Sequence, residues 1–315
     1  MLKWRSYVLL FMPIEILAGR GFYCFVRGEK VTVSLKLMYI TNKPEIALIA
    51  EKYGVDRIWI DLEREGKAER QKGRDSVKSD HTIEDIRKIA PLLSVSELLV
   101  RINPWNEKSQ DEIDAVIAAG ADMIMLPMWK NVEEVALFAD AVKGRCKTSL
   151  LLETKEAEKC LNEVLERYEK RTFFFDEIHV GLNDLHISYG LTFMFELLAN
   201  GTVEQICRRI EAAGIPYGFG GIAKIGEGAV PAEEVIIEHC RLHSTRAILS
   251  RAFCDSARIN DPGKIDQVFR ENMKKLRAFE ESVQHMEADI LEKNRDKLRE
   301  DVEKVVAKIK SKTNG

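Results

Sequence analysis

Thr148-Ser-Leu-Leu-Leu-Glu153-Thr154 is a short apolar run that stops at a carboxylate. A strand covered on both faces reads as an unbroken apolar stretch, so this segment predicts a buried parallel strand with Glu153 at its carboxyl end. Glu177-Ile-His-Val-Gly-Leu-Asn-Asp184-Leu185 repeats the pattern, with Asp184 where the apolar run gives out. That edge is where α/β folds build their active sites. Two acidic groups delivered there by neighbouring strands point to a divalent metal, Mg2+ or Mn2+, because such hard ions take carboxylate oxygens.

On either side the same unit recurs. Apolar runs at Leu35–Thr41, Arg57–Glu63, Glu97–Pro104, Asp122–Met128, Ile215–Ala223 and Arg246–Phe253 complete a set of eight, and each of the first seven is followed by a helical pattern of period 3.6. Helices are predicted over Pro44–Tyr53, His81–Leu93, Ser109–Ala119, Val132–Val142, Lys155–Tyr168, Phe193–Ala213 with a break near Asn200-Gly201, and Pro231–His243. Ser109-Gln-Asp-Glu112 reads as a capping box, and Thr82 with Asp85 suits a helix start. Eight strands alternating with helices spell an α/β fold of the (β/α)8 TIM barrel type over residues 35–255. An open doubly wound sheet fits less well, since Thr41-Asn-Lys-Pro44 has no glycine-rich dinucleotide turn after the first strand.

The chain has 315 residues, more than the roughly 250 that one such barrel needs, which leaves a piece at each end. Residues 1–34 read as an N-terminal appendage or an over-extended start. Tyr7-Val-Leu-Leu-Phe-Met loosely imitates a signal sequence, but Pro13 and Glu15 interrupt it well short of a membrane span, so no membrane is expected. Residues 256–315 form a charged C-terminal helical extension, with Phe269, Met273, Leu276, Phe279, Val283, Met286, Ile290 and Leu291 making an apolar stripe. A single helix that long overhangs one barrel, which predicts a homo-oligomer assembled through it.

Net charge is −3, which argues against nucleic acid and for small-molecule chemistry. Six cysteines without a C-x-x-C pair suit reduced thiols in a cytoplasmic protein rather than a zinc site.

In a barrel all carboxyl-end loops face one mouth, so Asp61, Glu63, Arg101, Pro127, Glu153, Asp184, Gly220 and Gly221 are expected to converge. Glu153 and Asp184 are the metal candidates. Arg101 offers a planar fork for a substrate carboxylate, or it neutralises Asp61 and Glu63. Asn183-Asp184 has a plainer use as a helix cap, and Gly220-Gly221 either eases a turn or presents amides to an anion. The isolated histidines His81, His179 and His186 read as structural.

Ile60-Asp61-Leu-Glu63, Leu99-Val-Arg101-Ile-Asn103, Gly120-Ala-Asp-Met-Ile-Met-Leu-Pro127-Met128, Leu151-Leu-Glu153-Thr-Lys-Glu-Ala157 and Val180-Gly-Leu-Asn-Asp184-Leu-His-Ile-Ser-Tyr-Gly-Leu191, in this order, resemble the HpcH/HpaI aldolases and citrate lyase β chains of the pyruvate-binding barrel superfamily. The resemblance implies a metal-dependent carbon-carbon lyase. In it Glu153 and Asp184 bind the ion and Arg101 holds a pyruvate-like substrate, a carboxylate or 2-keto acid, and its enolate; by their address at the mouth, Asp61 and Glu63 join the catalytic set and Pro127, Gly220 and Gly221 line the substrate. No Schiff-base lysine is required.

One departure stands out. Aldolases of this kind continue the second strand as Asp-x-Glu-His, whereas here Arg64 follows Glu63, and a guanidinium cannot serve as a base near neutral pH. Either Glu63, Asp61 or a water on the ion moves the proton, or the activity is redirected. Asp61-Leu-Glu63 is closer to the citrate lyase branch, whose substrates are thioesters, and a barrel that binds a metabolite without turnover is a third reading. The loop 64–80, with Arg64, Lys67, Arg70, Lys72, Arg74 and Lys78, suits an anionic substrate or is simply solvated.

Overall fold

The computed structural model describes residues 23–26, 29–32, 34–64, 80–256, 258–259 and 261–313. An antiparallel hairpin, β1 (Tyr23–Val26) and β2 (Glu29–Thr32), lies inside the segment read as an appendage. Residues 1–22 with their signal-like run, and the basic loop 65–79, fall outside the described residues.

The eight apolar runs become β3 (Lys36–Ile40), β4 (Arg57–Asp61), β5 (Glu97–Arg101), β6 (Met123–Leu126), β7 (Lys147–Leu152), β8 (Glu177–Val180), β9 (Tyr217–Ile222) and β10 (Arg246–Leu249). They close in sequence order into one parallel barrel, with β10 pairing back onto β3. The helices are α1 (Pro44–Lys52), α2 (Ile83–Ile89), α3 (Ser109–Ala118), α4 (Val132–Val142), α5 (Lys155–Glu169), α6 (Leu182–Ser188), α7 (Glu196–Ala199), α8 (Thr202–Ala212), α9 (Ala232–Arg241), α10 (Pro262–Val283) and α11 (Ala288–Thr313).

The barrel interior is stacked by chemistry. At the amino-end floor, Arg57 reaches across to Glu177 with Nη1–Oε1 2.6 Å and Nη2–Oε2 3.0 Å, and Arg246 Nε meets Glu177 Oε2 at 2.5 Å. Arg57 Nε also donates to Glu97, 2.8 Å. Burial raises the Glu177 carboxyl, but the fields of Arg246 and Arg57 and their hydrogen bonds overcome it and hold it at about 2. Above lies a dry layer of Met38, Trp59, Leu99, Met123, Met125 and Leu151. The mouth follows. A second, larger core fills the space between the strands' outer faces and the helices.

Of two local expectations, one changes. The capping box at Ser109 does not form: Lys108 is the N-cap, Ser109 Oγ accepts the Asn106 N–H at 2.8 Å, and Glu112 turns to Asn103 Nδ2 at 2.8 Å. The box at Thr82 does form, with the Thr82 N–H on Asp85 Oδ2 at 2.8 Å.

The C-terminal extension is two helices, not one. No Gly or Pro marks the turn at Gln284-His-Met-Glu287, so periodicity reads straight through it. α10 packs on the barrel wall, where Phe269 meets Tyr39 edge-on at 5.0 Å and Tyr53 Oη bonds Asp266 at 2.9 Å. Glu280 accepts the Leu35 N–H, and Arg277 donates to the Leu35 carbonyl at 2.9 Å, clasping the chain where it enters the barrel. α11 folds back over α9 and α7: Asn294 Nδ2 donates to the Glu234 carbonyl at 3.0 Å, Arg299 Nε to Ala199 O at 3.2 Å, and Leu298 and Val302 are buried. The apolar stripe is therefore largely spent within the chain, and the overhang that argued for assembly is gone.

Candidate active site

Parallel register sets Asp61 directly beside Arg101 as β4 and β5 end. Arg101 Nε and Nη2 grip Asp61 Oδ1 and Oδ2, each at 2.9 Å, and Nη2 also meets Glu63 Oε2 at 3.2 Å. The guanidinium lies 5.3 Å from the centre of the Trp59 ring beneath it. Burial disfavours its charge, but the fields of Asp61 and Glu63, the Asp61 hydrogen bonds and the farther Glu153 drive it well up, so it stays protonated. The neutralising role open from sequence is thus real. It commits the Nε–Nη2 edge, so any carboxylate ligand would have to be received on Nη1.

Glu153 follows the last residue of β7 and is fixed from three sides. Thr154 caps α5, its Oγ1 accepting the Ala157 N–H at 3.0 Å and donating to Trp129 O at 2.8 Å. Beside buried Pro127, Met128 adopts φ 53°, a region unusual for a side-chain-bearing residue, and its N–H donates to Glu153 Oε1 at 3.1 Å. Gly181 presses in from β8: a Cβ there would stand 2.9 Å from both Glu153 Cβ and Oε2. Only glycine permits that approach.

Asp184 sits in the first turn of α6, not on the strand, because the helix begins at Leu182 straight after Gly181. It therefore does not cap a later helix. Burial, then the fields of Asp184 and Glu63, push the Glu153 carboxyl well above the carboxylate range, with Arg101 and the Met128 N–H opposing more weakly. The two distant acids accordingly share one electrostatic site.

Asp61, Glu63, Arg101, Glu153 and Asp184 are 2, 1, 9, 2 and 9% exposed. Among the described residues, Arg101 pairs with Asp61 and Glu63 and lies in the field of Glu153. Carboxylates buried this close together suit a shared proton or a cation, in line with the raised Glu153 carboxyl. Among the described residues no group of three or more His, Cys, Asp or Glu forms a ready ligand cluster. The protein offers two carboxylates, which suits Mg2+ or Mn2+ completed by water and substrate oxygens and does not suit zinc.

Gly220, at φ +52°, lies against the helix that carries Asp184: a Cβ there would stand 2.7 Å from Leu182 Cδ1. Its glycine is explained by packing. Gly221, half-buried at the end of β9, meets only ordinary contacts. His179 is buried inside the barrel, and His186 bonds Leu182 O at 3.1 Å. His81 is different: its Nδ1 accepts the Asp61 backbone N–H at 3.0 Å. Met128, Gly181 and His81 are the site residues that the sequence reading missed or set aside. Met128 and Gly181 stand inside the quoted motifs, but their contributions are backbone ones. Cysteines 146, 160, 207, 240 and 254 form no disulfide among the described residues, and no described helix is long and apolar enough to cross a membrane.

The HpcH/HpaI aldolase/citrate lyase family model matches residues 36–213, more than half of the chain, and stops before β9 and β10. No curated protein sequence matches. Among solved structures, the chain is similar to the crystal structure of an HpcH/HpaI aldolase from Desulfitobacterium hafniense DCB-2, with TM-score 0.52 and 13% identity over 77% of this chain and 93% of that one. At that identity the likeness speaks for the fold alone.

Proposed function

This chain belongs to the HpcH/HpaI aldolase/citrate lyase family, a family of lyases, and we propose that it cleaves or forms a carbon-carbon bond in a 2-keto acid with the help of a divalent cation. The observation that supports this reading is the burial of Glu153 in the fields of Asp184 and Glu63 beside Arg101 at the barrel mouth. Glu153 and Asp184 would hold Mg2+ or Mn2+, which when bound supplies a Lewis acid for the keto group.

The remaining steps fall to the chain itself. Arg101, charged and pinned by Asp61, turns Nη1 to the substrate carboxylate and to the negative charge that develops during cleavage. Gly181 and the Met128 N–H keep Glu153 aimed. Asp61 meets Arg101 through both oxygens and Glu63 through Oε2, which keeps both carboxylates as candidates to move the proton. Arg64 is removed from that role by its chemistry and its position: its Nη2 donates to the His81 carbonyl at 3.0 Å.

The carboxylates occupy the arc from β4 to β8. The loops after β9, β10 and β3 carry Lys224, Arg251 and Lys43.

The test is pyruvate release from a panel of 4-hydroxy-2-keto acids, with and without EDTA, beside Glu153→Ala and Asp184→Ala. A thioester arm serves the citrate-lyase-like alternative, which the Asp61-Leu-Glu63 sequence favours. Turnover that ignores both the chelator and the substitutions would remove the proposal.

A further inference from the structure

β3 ends one step earlier than its neighbour. Its last paired residue, Ile40, lies opposite Trp59, and the final hydrogen bond between the two segments runs from Thr41 N–H to Trp59 O at 3.2 Å. On its other side β4 continues, with Leu62 N–H on Arg101 O at 2.9 Å. The Asp61 N–H points toward the side where β3 has stopped, and a buried N–H left there would need another acceptor. His81, twenty residues later and 7% exposed, supplies it through Nδ1 at 3.0 Å. An accepting Nδ1 carries no proton, so the ring is the neutral form protonated at Nε2.

The contact is part of a clasp. Arg64 Nη2 holds the His81 carbonyl at 3.0 Å, and the Arg64 N–H holds Asn103 Oδ1 at 2.9 Å. Asn103 is in turn fixed by Glu112 at 2.8 Å. Strand ends β4 and β5 are thereby tied together on the outside, just as Asp61 and Arg101 tie them on the inside. We propose that His81 is a positioning residue: its imidazole fixes the backbone of Asp61, and through the Asp61 carboxylate it sets which edge of Arg101 faces the mouth. The geometric claim stands alone; its value to catalysis rests on the lyase reading above.

The experiment uses the full chain and reads Arg101 directly. Its Nε–H proton signal, identified by loss in Arg101→Lys, reports the bond to Asp61 through its exchange with water. His81→Phe keeps a ring and removes the acceptor, while His81→Asn puts an oxygen near the place of Nδ1. Exchange should speed up about tenfold or more in the Phe variant, the scale of one lost hydrogen bond, and return to within about threefold of wild type in the Asn variant. Unchanged exchange in His81→Phe overturns the proposal, and so does failure of His81→Asn to restore it, which would mean that ring packing alone matters. Should His81→Phe not fold, the 15N spectrum of wild-type His81 decides: a protonated Nδ1 is incompatible with the clasp. A wild-type chain inert on every keto acid, with these signals as described, would sink the lyase reading and leave this one standing.

Discussion

Substituting Gly181→Ala tests the site with a single methyl. Gly181 has φ −82° and ψ 86°, so alanine meets no backbone penalty there. The new Cβ would instead stand 2.9 Å from Glu153 Cβ and Oε2 and 3.2 Å from Leu151 Cδ1. Oε2 is the end of a flexible side chain and can swing away. Glu153 Cβ cannot, because Thr154 and the Met128 N–H anchor its surroundings. The strain therefore falls on the segment from Gly181 to α6, which carries Asp184. Overpacking of this kind costs about 1–3 kcal/mol, or roughly 2–4 °C of Tm per kcal/mol in a domain of this size. Mn2+ affinity should fall about 10–100-fold, as when the support of a ligating group is lost. Gly221→Ala is the control, since its Cβ meets nothing closer than 3.4 Å and both measurements should stay near wild type. Calorimetric titration with Mn2+ beside thermal unfolding reads both. Wild-type Mn2+ affinity in Gly181→Ala would refute the reasoning that glycine is there to let Glu153 and Asp184 work together.

Glu177→Gln should destabilise by about 3–5 kcal/mol in guanidinium unfolding, because it leaves Arg57 and Arg246 buried against a neutral partner. The same group predicts acid behaviour: held at about 2 when folded against an ordinary value of 4.5, it stabilises above pH 4.5 and loses that contribution, about 3 kcal/mol, as pH falls toward 2. Burial keeps His179 and His239 neutral down to about 4 and about 3, against 6.5 when exposed. The unfolded chain binds more protons in that window, so stability should drop as pH falls from 6.5 to 4, by about 3 kcal/mol for His179, and denaturant midpoints at pH 7 and pH 5 will show it. Truncation after Gln284 bares the partners of Leu298 and Val302 and should cost about 3–6 kcal/mol; light scattering on the same protein tests assembly, where an unchanged mass would end any role for α11 in it.

The barrel was legible because each strand is buried on both faces and each βα unit is punctuated, as by Gly54, Gly120 and Gly144, all at positive φ in the structure. Strand ends were read too long, at Pro104, Met128 and Phe253, since residues that turn into the mouth stay apolar. The cluster of acids followed from topology alone: a closed barrel brings β4, β7 and β8 to one rim. Its supports did not follow. Met128 acts through its amide, Gly181 through the absence of a side chain, and His81 arrives from beyond a loop, so none carries a residue-type signal. The break at Gln284–Glu287 was hidden for the opposite reason, because tertiary packing turned the chain where local sequence permits a helix.

The most direct test is the anomalous diffraction of crystals grown with Mn2+ and oxalate. One manganese peak is expected with Glu153 and Asp184 oxygens both at about 2.0–2.4 Å and the oxalate carboxylate on Arg101 Nη1. A peak bound by neither carboxylate, or by one with the other pointing away, would contradict the shared site on which the lyase reading stands.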